Sequence, residues 1–212
     1  MRLTTAILCC SLFLLSCSNG NDETNKTPVA AESKDSTPPN RPDRPSPNPY
    51  TGVDVSPMDM AYYPIDYPKL KMAHELTTPP MARVIYSRPH LQGRHIFHEV
   101  LKYDEPWRLG ANEATELALY KDVTIQDKKI KAGRYTLYCI PHPDNWTIAI
   151  NNNIDTWGLE PDSTKDVARF VVPVVKTQNS LEYFTMIFEK KENEALLLMA
   201  WDDVAVRLPF RF

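Results

Sequence analysis

From Ala82 to the C-terminal end, apolar and polar positions alternate with a period of two, the spacing of strands that bury one face. In the first run Val84 and Tyr86 share one face, and Arg83, Ile85 and Ser87 share the other. Residues 115–120 and 122–126 repeat the pattern, and Asp127-Lys128-Lys129 reads as a turn. Residues 134–140 are rich in aromatic and β-branched side chains, which suit a pleated surface. The Pro-Asn stretch at 141–145 returns the chain into 146–150 as a hairpin. Residues 168–175, 183–189, 195–201 and 204–210 complete the set, and a helix fits only within 152–166. Short strands with turns between them and no helical period predict an all-β fold, an antiparallel β-sandwich of jelly-roll type, over residues 81–212. Phe212 is expected to close an edge of its core.

The pattern fails before residue 81. Residues 50–80 hold Met58, Met60, Tyr62, Tyr63 and Tyr67, too apolar for a free linker. Pro57, Pro64, Pro68, Pro79 and Pro80 oppose long helices and central strands. This segment reads as an extended arm packed on the domain. Residues 17–49 carry Pro28, Pro38, Pro39, Pro42, Pro45, Pro47 and Pro49 among polar residues. They bury too little apolar area to offset their ordering entropy, so a disordered tether is expected.

Residues 1–16 have the form of a signal peptide: Arg2, then an apolar run from Ala6 to Leu15, too short to span a bilayer. Leu14-Leu15-Ser16-Cys17 resembles a bacterial lipobox. That predicts a lipoprotein carrying acyl chains such as palmitate on Cys17, held on the outer membrane and facing either the periplasm or the cell surface. The acidic pair Asp22-Glu23 resembles the surface-export signals of some such proteins. Of the four cysteines, cleavage removes Cys9 and Cys10 and acylation consumes Cys17. Cys139 then stands alone, so the mature domain has no internal disulfide, and its place in an apolar strand predicts a buried, inert thiol. The formal net charge of −3 gives no reason to expect nucleic acid as a partner.

Several strings resemble the domain-of-unknown-function family numbered 2911. The most specific is Trp107-Arg108-Leu109-Gly110-Ala111-Asn112-Glu113-Ala114-Thr115. Ala132-Gly133-Arg134-Tyr135-Thr136 and Asp155-Thr156-Trp157-Gly158 follow in order, and the resemblance extends over residues 56–212. It implies a secreted or lipid-anchored envelope protein with a compact β-rich domain, and implies no activity.

Two constellations are candidates for chemistry. His90, His95 and His98, with Glu99, are the residues a metal would use, but a closed zinc site wants four ligands and no second motif supplies the rest. Ordinary surface histidines, with no metal and no cofactor, are the expectation. The second constellation is Arg88, Arg94, Trp107, Arg108, Asn112, Glu113 and Thr115. Arg88, Arg94, Arg108 and Glu113 suit a structural ion-pair network. Alternatively, Trp107 or Trp157 is an aromatic platform beside Arg108, Asn112, Glu113 and Asp155, a combination that suits a small polar ligand such as a sugar. Glu113 as a catalytic acid would need a second carboxylate, and the spacing pairs it with neither Glu116 nor Asp155. A non-catalytic module that binds a glycan, peptide or protein, or serves a structural role, is therefore expected ahead of an envelope hydrolase. Two carboxylates facing one cavity would favour the hydrolase.

Overall fold

The computed structural model describes residues 55–212. The expected signal peptide, Cys17, the expected tether and the first residues of the arm lie outside that range. The architecture is the expected antiparallel β-sandwich. One layer is a six-stranded antiparallel sheet in the order β1-β2-β3-β6-β7-β8. Its strands are β1 (Met58–Tyr63), β2 (Ala82–Ser87), β3 (Thr115–Leu119), β6 (Gly133–Pro141), β7 (Asn145–Asn151) and β8 (Asp166–Pro173). The other layer is a long hairpin of β9 (Val175–Lys191) and β10 (Glu194–Phe210). A small hairpin, β4 (Val123–Ile125) with β5 (Lys128–Ile130), lies between β3 and β6 in the chain.

The period of two explains the layering. On β2, Ala82, Val84 and Tyr86 face the interior, and on β9 Phe184, Met186 and Phe188 do the same. Polar bonds add direction to this packing. The Tyr86 hydroxyl donates to the Met186 carbonyl at 3.2 Å and accepts the Met186 N–H at 2.9 Å. Tyr86 and Phe184 meet edge to face. Backbone pairing also joins the layers, since the Phe184 N–H donates to the Pro89 carbonyl and the Leu91 N–H to the Glu182 carbonyl. Trp107, Trp146 and Trp201 pack together in the core, and Cys139 is fully buried there as a free thiol. Burial pushes the Cys139 thiol well above its ordinary pKa. Phe212 stacks on Tyr63 at the core edge while remaining partly exposed.

Four expectations change. Met58–Tyr63, inside the arm, is an edge strand of the main sheet, paired with β2. The helix sits not within 152–166 but at α1 (Tyr67–Met72). Pro68 is tolerated there because it occupies the first turn, where its missing N–H has no partner to lose; the 152–166 stretch holds only a single 3-10 turn at Ser163–Lys165. The turn between β4 and β5 falls at Gln126-Asp127, with Gln126 at φ +50°, and Lys128 starts the return strand. Residues 195–201 and 204–210 are one strand, β10, interrupted by a bulge at Asp202, whose φ is +51°.

Candidate functional site

The outer face of the six-stranded sheet carries an open cleft. The strand register places Met60, Ile85, Glu116, Thr136 and Asn151 side by side across five strands. Two loops wall one end of this row, residues 109–114 before β3 and residues 152–158 after β7. The loops are held to each other by the Ala114 N–H, which donates to the Thr156 carbonyl at 3.2 Å. They are also held to the sheet. Thr115 Oγ1 donates to the Leu109 carbonyl at 2.6 Å and Thr136 Oγ1 to the Asn153 carbonyl at 3.2 Å. Gly158 has φ +78°, and a Cβ there would lie 2.7 Å from the Ala114 Cβ. Only glycine lets the second loop approach the first so closely.

The enclosed volume is about 400 Å³. Met58, Ile85 and Trp157 supply its apolar surface, and Glu113, Glu116, Thr136, Asp155 and Thr156 its polar surface. Trp157 is 52% exposed. The Arg108 guanidinium lies over its ring, with Cζ 5.7 Å from the centroid. Arg108 does not border the cleft itself, so it backs the ring from the far side.

The carboxylates of the cleft are not equivalent. Arg134 Nη2 contacts Glu116 Oε2 at 2.5 Å and Asp155 Oδ1 at 3.0 Å. Arg83 Nη2 stands 3.6 Å from the other Glu116 oxygen. The hydrogen bonds to Glu116 and then Asp155 raise the Arg134 pKa further above its ordinary value. Glu113 is exposed, forms no ion pair within 4.0 Å among the described residues, and acts on Arg108 through its charge. Burial lowers the Arg108 pKa and the Glu113 charge opposes that. Arg108 Nη1 is buried with no hydrogen-bond partner.

The candidate residues therefore separate. Glu113, Asp155 and Trp157 converge on the cleft. Trp107 is not an exposed platform: it is 8% exposed, its indole N–H donates to the Gly110 carbonyl, and its backbone pairs with Cys139. Asn112, at φ +59°, reaches back to the Ser56 carbonyl at 3.5 Å. The expected network of Arg88, Arg94, Arg108 and Glu113 does not assemble. Arg88 pairs with Asp59 at 3.3 Å and donates to the Phe184 carbonyl, while Arg94 donates to the Leu91 and His90 carbonyls. The histidines go to different places: His90 stacks on Tyr183, His95 lies 3.7 Å from Asp202, and His98 meets the edge of Tyr103. Among the described residues no group of three or more His, Cys, Asp or Glu is placed to hold a metal ion.

Sequence reasoning missed Met58, Ile85, Arg134 and Thr136. The outward phase of Ile85, Arg134 and Thr136 is visible in the alternation, whereas Met58 lies before it begins, and what each stands beside depends on strand pairing, which the alternation does not encode.

A second, smaller cleft of about 240 Å³ lies on the Arg108 side of the loops. Trp107, Leu101, Leu159 and Pro106 line it.

Fold and site together define a β-sandwich with an aromatic-walled, carboxylate-bearing cleft on its outer sheet face. The chain belongs to the family described as "Protein of unknown function (DUF2911)", whose model matches residues 69–210. No curated protein and no solved structure matches it.

Proposed function

We propose that this is a lipid-anchored protein of the bacterial outer membrane whose β-sandwich binds a small polar ligand in the sheet-face cleft without transforming it. The observation that carries the binding role is the exposed Trp157 ring, backed by Arg108 and set beside Glu113, Glu116 and Asp155 in one cleft. An exposed aromatic face with converging polar groups is the usual composition of a ligand site. A volume near 400 Å³ falls in the range of about 300–1,000 Å³ common for such sites.

Three carboxylates face the cavity, the arrangement that would favour a hydrolase. Their pairing argues against it. Glu116 and Asp155 each have an oxygen bound to a common guanidinium, which holds both as hydrogen-bond acceptors. Glu113 is left with no free second carboxylate, and acid–base hydrolysis of a glycosidic bond requires two. The anchor rests on Arg2, the apolar run from Ala6 to Leu15, and Leu14-Leu15-Ser16-Cys17. Several acyl chains at about 0.8 kcal/mol per buried CH₂ would hold a domain stably on a membrane.

Both parts are tested directly. Cys17→Ser should release the protein from the membrane fraction, and unchanged membrane association would refute the anchor. A thermal-shift screen of short saccharides and tripeptides against the full chain should yield a stabilising ligand whose effect is lost in Trp157→Ala. Loss of that ligand in solution with no change of its covalent structure is the result expected of a binder. Turnover abolished by Glu113→Gln would establish the hydrolase instead.

A further inference from the structure

We infer that the ligand of this cleft is an uncharged saccharide, a short oligosaccharide or the end of a longer glycan chain. The inference rests on the binding role proposed above and names its ligand class.

The first argument is the pattern of donors and acceptors. Arg134 sits between Glu116 and Asp155, and Arg83 approaches Glu116 from its other oxygen. Two guanidinium groups beside the cleft thus balance two carboxylates that line it, and the result is a line of alternating donors and acceptors along its edge with little net charge. A hydroxyl both donates and accepts, so vicinal hydroxyls match such a line, each giving its proton to a carboxylate and taking one from a guanidinium. The groups remain open to solvent: the Arg134 side chain is 50% exposed and that of Asp155 70%. Thr136 continues the line along the same cross-strand row as Glu116.

The second argument is the platform. Arg108 covers one side of Trp157, so the ring is backed by a charge that attracts its π face. The loop carrying it is locked by the close approach of Gly158 to Ala114. A rigid ring with an open face suits the C–H face of a pyranose, which gains apolar contact without losing its hydroxyl bonds. Met58 and Ile85 provide further apolar surface at the same cleft.

The third argument is charge. Glu113 forms no ion pair among the described residues and lines the cleft. An anionic ligand would meet that unneutralised carboxylate, while the nearby guanidinium groups are already paired with Glu116 and Asp155. Uronates, sialic acids and phosphorylated sugars are therefore disfavoured.

The test is calorimetric titration of the full chain, in a detergent without a sugar headgroup, with neutral trisaccharides of glucose and of N-acetylglucosamine, with trigalacturonate, and with a lysine-containing tripeptide. At least one neutral trisaccharide should bind, and Trp157→Ala should weaken it by about tenfold or more, the loss of about 1.4 kcal/mol. Asp155→Asn, which keeps a residue type that tolerates φ +56°, should weaken it by about three- to tenfold and serves as the check if Trp157→Ala folds poorly. Glu113→Gln, which removes the unpaired charge from the cleft, should raise the affinity for trigalacturonate relative to that for the neutral trisaccharides. Trigalacturonate binding the parent as well as the neutral sugars would overturn the inference. Tripeptide binding that depends on Trp157, with no saccharide binding, would overturn it too, yet leave the binding role standing. Binding by none of these probes, or binding indifferent to Trp157→Ala and Asp155→Asn, would overturn both.

Discussion

Arg108 and Trp157 form a stacked pair in which the guanidinium carbon lies 5.7 Å from the centre of the indole ring. The pair divides two clefts: Trp157 borders the one that carries the carboxylates and Arg108 the smaller one. Among the described residues Arg108 has no carboxylate within 4.0 Å, so its role is to pack on Trp157 and Gly158 rather than to close an ion pair.

The sequence reading expects Arg108→Ala and Glu113→Gln to destabilise the fold alike, as partners in a buried network. The structure separates them. Arg108→Ala removes a stacked, half-buried side chain and should cost about 1–2 kcal/mol. Glu113→Gln alters an exposed group and should stay within about 0.5 kcal/mol. Urea melts of the two variants check this, and an equal large loss in both would restore the network.

Gly158→Ala should be worse than Arg108→Ala at the site itself. The added Cβ would meet the Ala114 Cβ at 2.7 Å, at a backbone φ of +78°. Strain of this kind costs about 1–3 kcal/mol. Relief would come from moving the 152–158 loop, so Trp157 emission should shift toward that of a free surface indole. A variant with parental stability and an unchanged spectrum would show that the loop contact is unimportant.

The parts of the fold legible in sequence are those that local periodicity controls. The buried faces of β2 and β8 follow directly from alternation. The β10 strand shows its bulge in the sequence as a change of phase: Ala195, Leu197, Met199 and Trp201 are buried at odd positions, then Val204, Val206, Leu208 and Phe210 at even ones. Read locally this looks like two strands, because a bulge and a strand end both break the period. The candidate site was legible only where it lies on loops. Glu113, Asp155 and Trp157 stand out as polar or aromatic residues beside turn signals. Thr136 and Ile85 reach the same cleft, and Arg134 its carboxylates, through pairings between strands distant in the chain, and nothing local distinguishes them from other outward positions. Trp107 misled because an aromatic residue next to Arg looks exposed, whereas its neighbours in space are Trp146, Phe184 and Trp201.

High pH should unfold the domain through its buried tyrosines. Burial raises the Tyr86 pKa to about 12, and burial followed by the Asp166 hydrogen bond does the same for Tyr138. A phenol with a raised pKa holds its proton more tightly in the folded state. Its contribution is therefore complete below about pH 10, the unfolded value, and is lost as pH rises toward 12. At about 1.4 kcal/mol per unit, Tyr86 alone accounts for roughly 2–3 kcal/mol over that window. Tyr86→Phe should cost about 1–3 kcal/mol at neutral pH, since the Met186 N–H and carbonyl lose their partner. It should also flatten the decline between pH 10 and 12. Chemical melts across that range would contradict this if the decline is as steep in Tyr86→Phe as in the parent.

The thiol count of the mature chain tests the anchor independently of fractionation. If Cys17 is acylated and the signal peptide removed, Cys139 is the remaining thiol. It is fully buried and burial raises its pKa, so a disulfide reagent should find no reactive thiol in the native protein and one after denaturation. A thiol that reacts rapidly in the native protein would place a free Cys17 on the surface.

The central claim is that the outer-face cleft at Trp157 binds the ligand, and the indole N–H resonances test it most directly. Trp107, Trp146 and Trp201 are buried and Trp157 alone is exposed among the four. On titration with a bound saccharide, the Trp157 indole resonance should move in proportion to occupancy while the other three stay in place. Movement of Trp107 or Trp201 with Trp157 unchanged would put the ligand in the smaller cleft on the Arg108 side and contradict the claim.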